Sequence, residues 1–187
     1  MSRYVDKVIN LKQKNIRNAN VKHILLCGDT HYIKYIGVTM TSILLTNKGE
    51  EFEFHIFVDS VSEEDLSRLE QTSEKFSVSI NIYFINVDVI KKFSEDMHGN
   101  DHISVAAYFR FIAFGALYKI VDKVLYLDSD ICVLDDKINI FWKVDLLNKI
   151  AIVIGKQAGD SSEIRLNVEK AFNSGVIFVD INNWNES

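Results

Sequence analysis

Proline is missing from the sequence altogether. No Pro-rich linker therefore divides the chain, and its turns rest on Gly, Asn, Asp and Ser, which favours one compact unit. Cysteine is nearly as scarce. Cys27 and Cys132 sit in apolar runs with neither CxxC spacing nor a His cluster beside them, a pattern that argues against a disulfide framework or a structural zinc site. Long hydrophobic runs are also lacking. No stretch approaches the roughly 20 apolar residues of a membrane span, and the start MSRYVDKVINLKQKN carries Lys and Asp where a signal peptide needs an unbroken apolar segment. The expected location is the cytoplasm. Nor is positive charge in excess: Lys plus Arg number 21 against 26 Asp plus Glu, and the net charge of -5 excludes a surface built to neutralise nucleic-acid phosphates. What remains is a 187-residue chain, 48% hydrophobic and 25% charged, with room for one domain around a sizeable core.

Alternation of strand and helix patterns sets the expected fold class. Residues 4 to 19 place Tyr4, Val5, Val8, Ile9, Leu11 and Ile16 among charges, which predicts an amphipathic helix, an N-terminal helical extension over residues 1–20 ahead of a domain at 21–187. His23 to Cys27 is a short apolar run ending in Gly28-Asp29-Thr30, the pattern of a buried strand feeding a loop and a helix through about Leu45. Strands are expected at Glu53 to Val58, Val78 to Ile85, Lys123 to Leu127, Ile150 to Ile154 and Val176 to Val179. A helix opened by Ser62, with Asp65 three residues on, is expected through Lys75, and another over Ser104 to Tyr118. The result is an α/β class with a Rossmann-like, mostly parallel sheet flanked by helices. In such sheets ligands bind beyond the carboxyl ends of the strands, here after Cys27 and Leu127.

Polar residues at those ends carry the chemistry. Val124-Leu125-Tyr126-Leu127-Asp128-Ser129-Asp130 ends a buried strand in two carboxylates two residues apart. In extended backbone such residues share a face and can aim at one hard cation, Mg²⁺ or Mn²⁺, that also grips a diphosphate. An acidic strand end meeting solvent is the plainer alternative, and Asp135-Asp136 reads as a solvated turn. Arg110 is the only charged residue between Ile103 and Tyr118. A buried guanidinium must find a carboxylate or a phosphate, so it belongs either in an ion pair, Asp128 being a candidate, or on a ligand. His102 stands at the mouth of the same helix, as a ligand contact or a surface cap. Phe172-Asn173-Ser174-Gly175-Val176 sets a carboxamide and a glycine just before a strand, for close ligand approach or for a plain turn. Gly28-Asp29-Thr30-His31-Tyr32 suits a base or ribose, and it lacks the glycines of dinucleotide and P-loop motifs.

Four segments, HILLCGDTHYIKYIGVTMTSILLTN, HISVAAYFRFIAF, KVLYLDSDICVLDD and FNSGVIFVDINNW, together resemble glycosyltransferase family 8, and most closely its bacterial lipopolysaccharide-core glucosyl- and galactosyltransferases. The resemblance runs from about Val21 to Trp184. It implies a GT-A-type nucleotide-diphospho-sugar transferase fold that binds UDP-glucose or UDP-galactose with Mn²⁺ (or Mg²⁺). A hexose would pass, with retention of anomeric configuration, to a saccharide acceptor, a lipid-linked oligosaccharide of the lipopolysaccharide core. Asp128 and Asp130 would be the DxD pair that ligates the metal, with Ser129 between them in the donor site. Asp29 would contact the uridine with His31 beside it, and Arg110 would lie over the donor sugar and diphosphate. Asn173 and Gly175 would line the sugar pocket, and His102 would face the acceptor. The same resemblance implies peripheral attachment at the inner face of the membrane.

The sequence departs from the family pattern in two respects. The 187 residues contain neither the QDQD-like segment nor the HYxGxxKPW-like segment whose His is the family's third protein ligand to the metal. After the strand at Ala151, where relatives often carry an Asp, it reads Gly155-Lys156-Gln157. The expectation is therefore a nucleotide-sugar-binding portion, with a non-catalytic donor-binding fragment as one alternative. Haloacid-dehalogenase-like phosphatases are another, since they place DxDx[TV] after an apolar strand with the first Asp as nucleophile. Here the fifth position is Cys132, and three strand units precede the motif.

Overall fold

The computed structural model describes residues 4–12, 20–86, 88–89, 91, 108–147, 149–153 and 173–186. They form one seven-stranded sheet of order β1-β4-β3-β2-β5-β7-β6. Its strands are β1 Val5–Leu11, β2 Lys22–Gly28, β3 Phe52–Val58, β4 Ser79–Ile85, β5 Lys123–Asp128, β6 Ala151–Val153 and β7 Val176–Asp180. The four central strands, β4-β3-β2-β5, run parallel. As the apolar runs require, β2 and β3 are buried on both faces. Around them β1, β7 and β6 add antiparallel pairs. The expected α/β class with a parallel centre is what the chain adopts.

Helices cover both faces. On one lie α1, Ile33–Thr46, which buries Ile33, Ile36, Met40 and Ile43 at i, i+3, i+7 and i+10, and α2, Glu63–Phe76, which buries Leu69. A 3-10 helix, Asp136–Lys143, adds Ile138 and Phe141 to this layer. On the other lie α3, Phe109–Ala116, and the short α4, Ile181–Glu186. There Phe109, Ile112, Phe114, Leu117 and Ile181 pack on Leu25, Phe57, Tyr126 and Val179. The start of α2 is fixed by a capping box: the Ser62 hydroxyl accepts the Asp65 N–H at 3.1 Å and donates to the Asp65 carboxylate at 2.7 Å.

The first segment corrects the sequence reading. Val5–Leu11 is a strand, antiparallel to β4, and not part of a helix; residues 13–19 of the expected helix lie outside the described residues. The register shifts between Val5 and Lys7, where one residue bulges. Because of that bulge, Val5 and Val8 pack on the same side of the sheet although three residues apart, while Ile9 and Leu11 pack on the other. A bulged strand thus reproduces the i, i+3, i+4 spacing of a helix. Pairing with the open edge of β4 then settles the matter, helped by the β-branched Val5, Val8 and Ile9. Of the helix expected over Ser104 to Tyr118, the described part is Phe109–Ala116, and residues 101–107, with His102, lie outside the described residues.

Candidate functional site

Parallel pairing places the ends of β2 and β5 side by side, with Cys27 opposite Asp128. The two polar loops named from the sequence therefore leave the sheet together. On the far side of β5, the antiparallel β7 starts where β5 stops, so that the Asp128 N–H donates to the Gly175 carbonyl at 2.8 Å. The segment Asn173-Ser174-Gly175 is thereby brought, 45 residues later in the chain, against the acidic strand end.

Asp128 is held through one oxygen. Its Oδ1 accepts the Tyr126 hydroxyl at 2.5 Å and lies 3.4 Å from Nη2 of Arg110. Among the described residues no donor reaches Oδ2. Tyr126 and Asp128 stand two residues apart on extended backbone and so share a face. The phenol is buried and, chiefly for that reason, its pKa is pushed far above the ordinary value, so it serves as a hydrogen-bond donor. Arg110, 8% exposed, lies with its guanidinium carbon 4.5 Å from the centre of the Tyr126 ring. Its Nη1 donates to the Ser174 carbonyl at 2.7 Å and to the Ser174 hydroxyl at 3.1 Å. Of the two alternatives for Arg110, the structure shows the first: it is ion-paired with Asp128. The neighbouring Cys27 thiol is enclosed, and burial raises its pKa well above the usual thiol range, which leaves it unreactive.

Gly175 is required by this packing. A Cβ there would fall 2.7 Å from Asp128 Oδ2 and 3.0 Å from Asn173 Oδ1. The glycine thus lets two oxygen acceptors pack directly against the backbone, one of which, Asn173 Oδ1, also accepts the Gly175 N–H at 2.8 Å. Gly28 plays a similar part beneath the other loop, since a Cβ would lie 2.9 Å from Cβ of Tyr32 and would push α1 off the end of β2. Asp29 shapes that loop, its Oδ1 accepting the His31 N–H at 2.9 Å while its carbonyl accepts the Tyr32 N–H. His31 and the tilted pair Tyr32 and Tyr35, ring centres 5.4 Å apart, are exposed.

The DxD residues depart from the extended geometry expected of them. β5 ends at Asp128, and Ser129-Asp130 form a turn in which the Ile131 N–H donates to the Asp128 carbonyl at 3.2 Å. Asp128 is half-buried, Ser129 buried and Asp130 exposed. The turn is pinned from α1: Thr39 donates to the Ser129 carbonyl at 2.8 Å, and the Ser42 hydroxyl accepts the Val133 N–H at 3.0 Å. Asp135 and Asp136 are exposed, as expected, and the Asp135 carboxylate is held below the usual range by Lys137. Sequence reading missed Tyr126, Ser174, Thr39 and Ser42. Only Tyr126 carried a signal, its position two residues before Asp128.

Carboxylate and carboxamide oxygens meet at this corner, a donor type that suits a hard divalent cation. Asp128 and Asp130 would hold such an ion.

Residues 23–187 match the family model for glycosyl transferase family 8. Among curated proteins, General stress protein A of Bacillus subtilis (strain 168) is 32% identical over 177 residues, covering 90% of this chain and 59% of that one. Lipopolysaccharide 1,2-glucosyltransferase of Escherichia coli (strain K12) is 28% identical over 96% of this chain and 54% of its own length. Lipopolysaccharide 1,3-galactosyltransferase of Salmonella typhimurium is 30% identical over 83% and 47%. The chain thus spans about half the length of the curated relatives it matches. The galactosyltransferase LgtC, solved with donor and acceptor sugar analogs, shares the fold at a TM-score of 0.76 and 23% identity, over 88% of this chain and 60% of that one.

Proposed function

Since the chain belongs to glycosyl transferase family 8, we propose that residues 21–187 form the nucleotide-sugar-binding portion of a transferase. It would move glucose or galactose from UDP to a saccharide acceptor, with retention. The relatives named as lipopolysaccharide glucosyl- and galactosyltransferases support that acceptor class, which is lipid-linked and would be met at the inner face of the membrane. No helix among the described residues is long and apolar enough to cross a membrane; peripheral attachment enters the reading by family resemblance. The match to family 8 displaces the phosphatase alternative.

One observation carries the reading: Asp128 is pinned through Oδ1 by Tyr126 and Arg110 while its Oδ2, packed against Gly175, accepts no hydrogen bond among the described residues. A cation bound between Asp128, Asp130 and the diphosphate would supply the charge that lets UDP leave. Arg110 presents a second positive charge at the same corner, held rigid by Ser174 and Tyr126, and a fixed charge in a partly dry site stabilises a developing oxyanion without reorganising. Asn173 offers its carboxamide to a sugar hydroxyl beside that charge. Asp29, its loop tightened by the bond to the His31 N–H, presents a carboxylate oxygen suited to a ribose or base donor, next to an exposed imidazole. His102 stands in the reading as an acceptor-side residue on resemblance alone.

Calorimetric titration with UDP, with Mn²⁺ present and then chelated, tests this. Metal-dependent binding is expected, abolished in Asp128→Ala and in Asp130→Ala while circular dichroism stays that of the parent. UDP binding with unchanged metal dependence in both variants would refute it. Binding of UDP-sugar without transfer would instead identify a donor-binding portion that needs a further segment for turnover.

A further inference from the structure

The register that aligns β2 with β3 also brings together a second set of potential ligands, far from Asp128. His23 lies opposite Glu53, and His55, two residues along β3, shares their face. Nδ1 of His23 is 3.1 Å from Nε2 of His55 and 3.8 Å from Oε2 of Glu53, and the three ligand atoms all lie within 4.8 Å of one another. Four residues of β2 separate His23 from Cys27, the register neighbour of Asp128, about 13 Å at the rise of a parallel strand. This group is therefore distinct from the oxygen-lined corner that the donor reading uses.

We propose that His23, Glu53 and His55 form a second metal site, one that takes Zn²⁺ or a cation of similar softness and clips β2 to β3 at the N-terminal end of the parallel sheet.

Geometry and chemistry both support it. Tetrahedral zinc, with ligand bonds of about 2.0–2.1 Å, keeps neighbouring ligand atoms about 3.3 Å apart, a value between the two separations found. Two imidazole nitrogens and one carboxylate oxygen are a zinc donor set rather than a magnesium one. The outer atoms of two ligands are already engaged, as in a built metal site. Nδ1 of His55 meets the Tyr83 hydroxyl at 3.1 Å, which reserves Nε2 for the ion, and Oε1 of Glu53 accepts from the Asn81 amide at 2.6 Å, which reserves Oε2. Burial lowers the pKa of both histidines, most strongly that of His55. The side chains of His23 and Glu53 are 22% and 30% exposed, which gives an ion an approach from solvent and leaves a fourth position for water.

The proposal stands apart from the donor reading, and its test removes that corner. A chain carrying Asp128→Asn and Asp130→Asn would be stripped with chelator, titrated with Zn²⁺ against a chromogenic competitor, and separately loaded with Co²⁺. One equivalent of Zn²⁺ is expected, with intense tetrahedral d–d bands for Co²⁺. Adding His23→Gln or Glu53→Gln, both at partly exposed positions, should remove the equivalent and the bands, and Tyr83→Phe should weaken Zn²⁺ binding by about 10- to 100-fold. A chain that binds no Zn²⁺ would overturn the proposal and leave a plain imidazole–imidazole hydrogen bond. So would Zn²⁺ affinity and Co²⁺ bands unchanged by both added substitutions.

Discussion

Two polar corners sit on one face of the same sheet, at opposite ends of its parallel strands, and they solve opposite problems. At the carboxyl end, Asp128 is ion-paired with Arg110, with one oxygen tied by Tyr126 and the other packed on a glycine. At the amino end, burial disfavours the charged form of His23 and His55, and the outer atoms of the His55–Glu53 pair are engaged by Tyr83 and Asn81. The first arrangement spends a buried cation to hold an anion ready for something larger. The second shapes a space for one small ion by hydrogen bonds alone. What separates the corners is the direction of the strands, since the ligand crevice of an open α/β sheet forms beyond the carboxyl ends.

Breaking the charged corner should cost most. Arg110→Ala removes the partner of Asp128, two bonds to Ser174 and the stacking on Tyr126. Because the Asp128 side chain is 39% exposed and can rehydrate, the loss should fall below that of a fully buried pair, at about 2–3 kcal/mol by urea denaturation. UDP-sugar affinity should fall as well, and equal affinity in this variant would remove Arg110 from the site. Gly175→Ala tests the second oxygen. Its methyl group would displace a carboxylate that Tyr126 and Arg110 hold in place, so UDP affinity in Mn²⁺ should drop about 10- to 100-fold, matching the roughly 1–3 kcal/mol of overpacking. Wild-type titration curves would show that Oδ2 needs no room.

Tyr126→Phe deletes one hydrogen bond to Asp128 and keeps the ring under Arg110. A loss of about 1.5 kcal/mol in stability is expected, with metal-dependent UDP binding weakened but retained. The smallest effect separates the two corners. Arg110→Ala combined with Glu53→Gln should be additive in stability to within about 0.5 kcal/mol, as for sites more than 10 Å apart. A larger coupling in the double-mutant cycle would mean the corners communicate through β2 and β3.

Much of this was legible in the sequence, for reasons that differ by element. Strands buried on both faces, such as β2 and β5, announce themselves as apolar runs, and the loops after them were singled out as lying beyond the carboxyl ends of a parallel sheet, whereas their adjacency came only from the β2–β5 pairing. Arg110 was singled out because a lone charge in an apolar helix must have a partner. β1 was misread because its bulge converts a period of two into a helical spacing, and only the edge of β4, 70 residues on, decides between them. The His23–Glu53–His55 group was invisible for a related reason. Its members share a face only once the β2–β3 register is known, and a slip of one residue would turn them to opposite sides. Ser174 and Thr39 lie beyond any local rule, because each acts through its reach across the fold.

The antiparallel return of β7 also has a kinetic meaning. Asp128 is synthesised well before Gly175, yet the acceptor for its backbone N–H, and the carbonyl and hydroxyl of Ser174 that receive Arg110, arrive with residues 173–175. The central strands can form a nucleus from β2, β3, β4 and β5 while the acidic loop is still unfinished. On the proposed donor-site reading, competence to bind a nucleotide would then come late in folding, because it would wait for the pairing of β7 with β5 across that long separation.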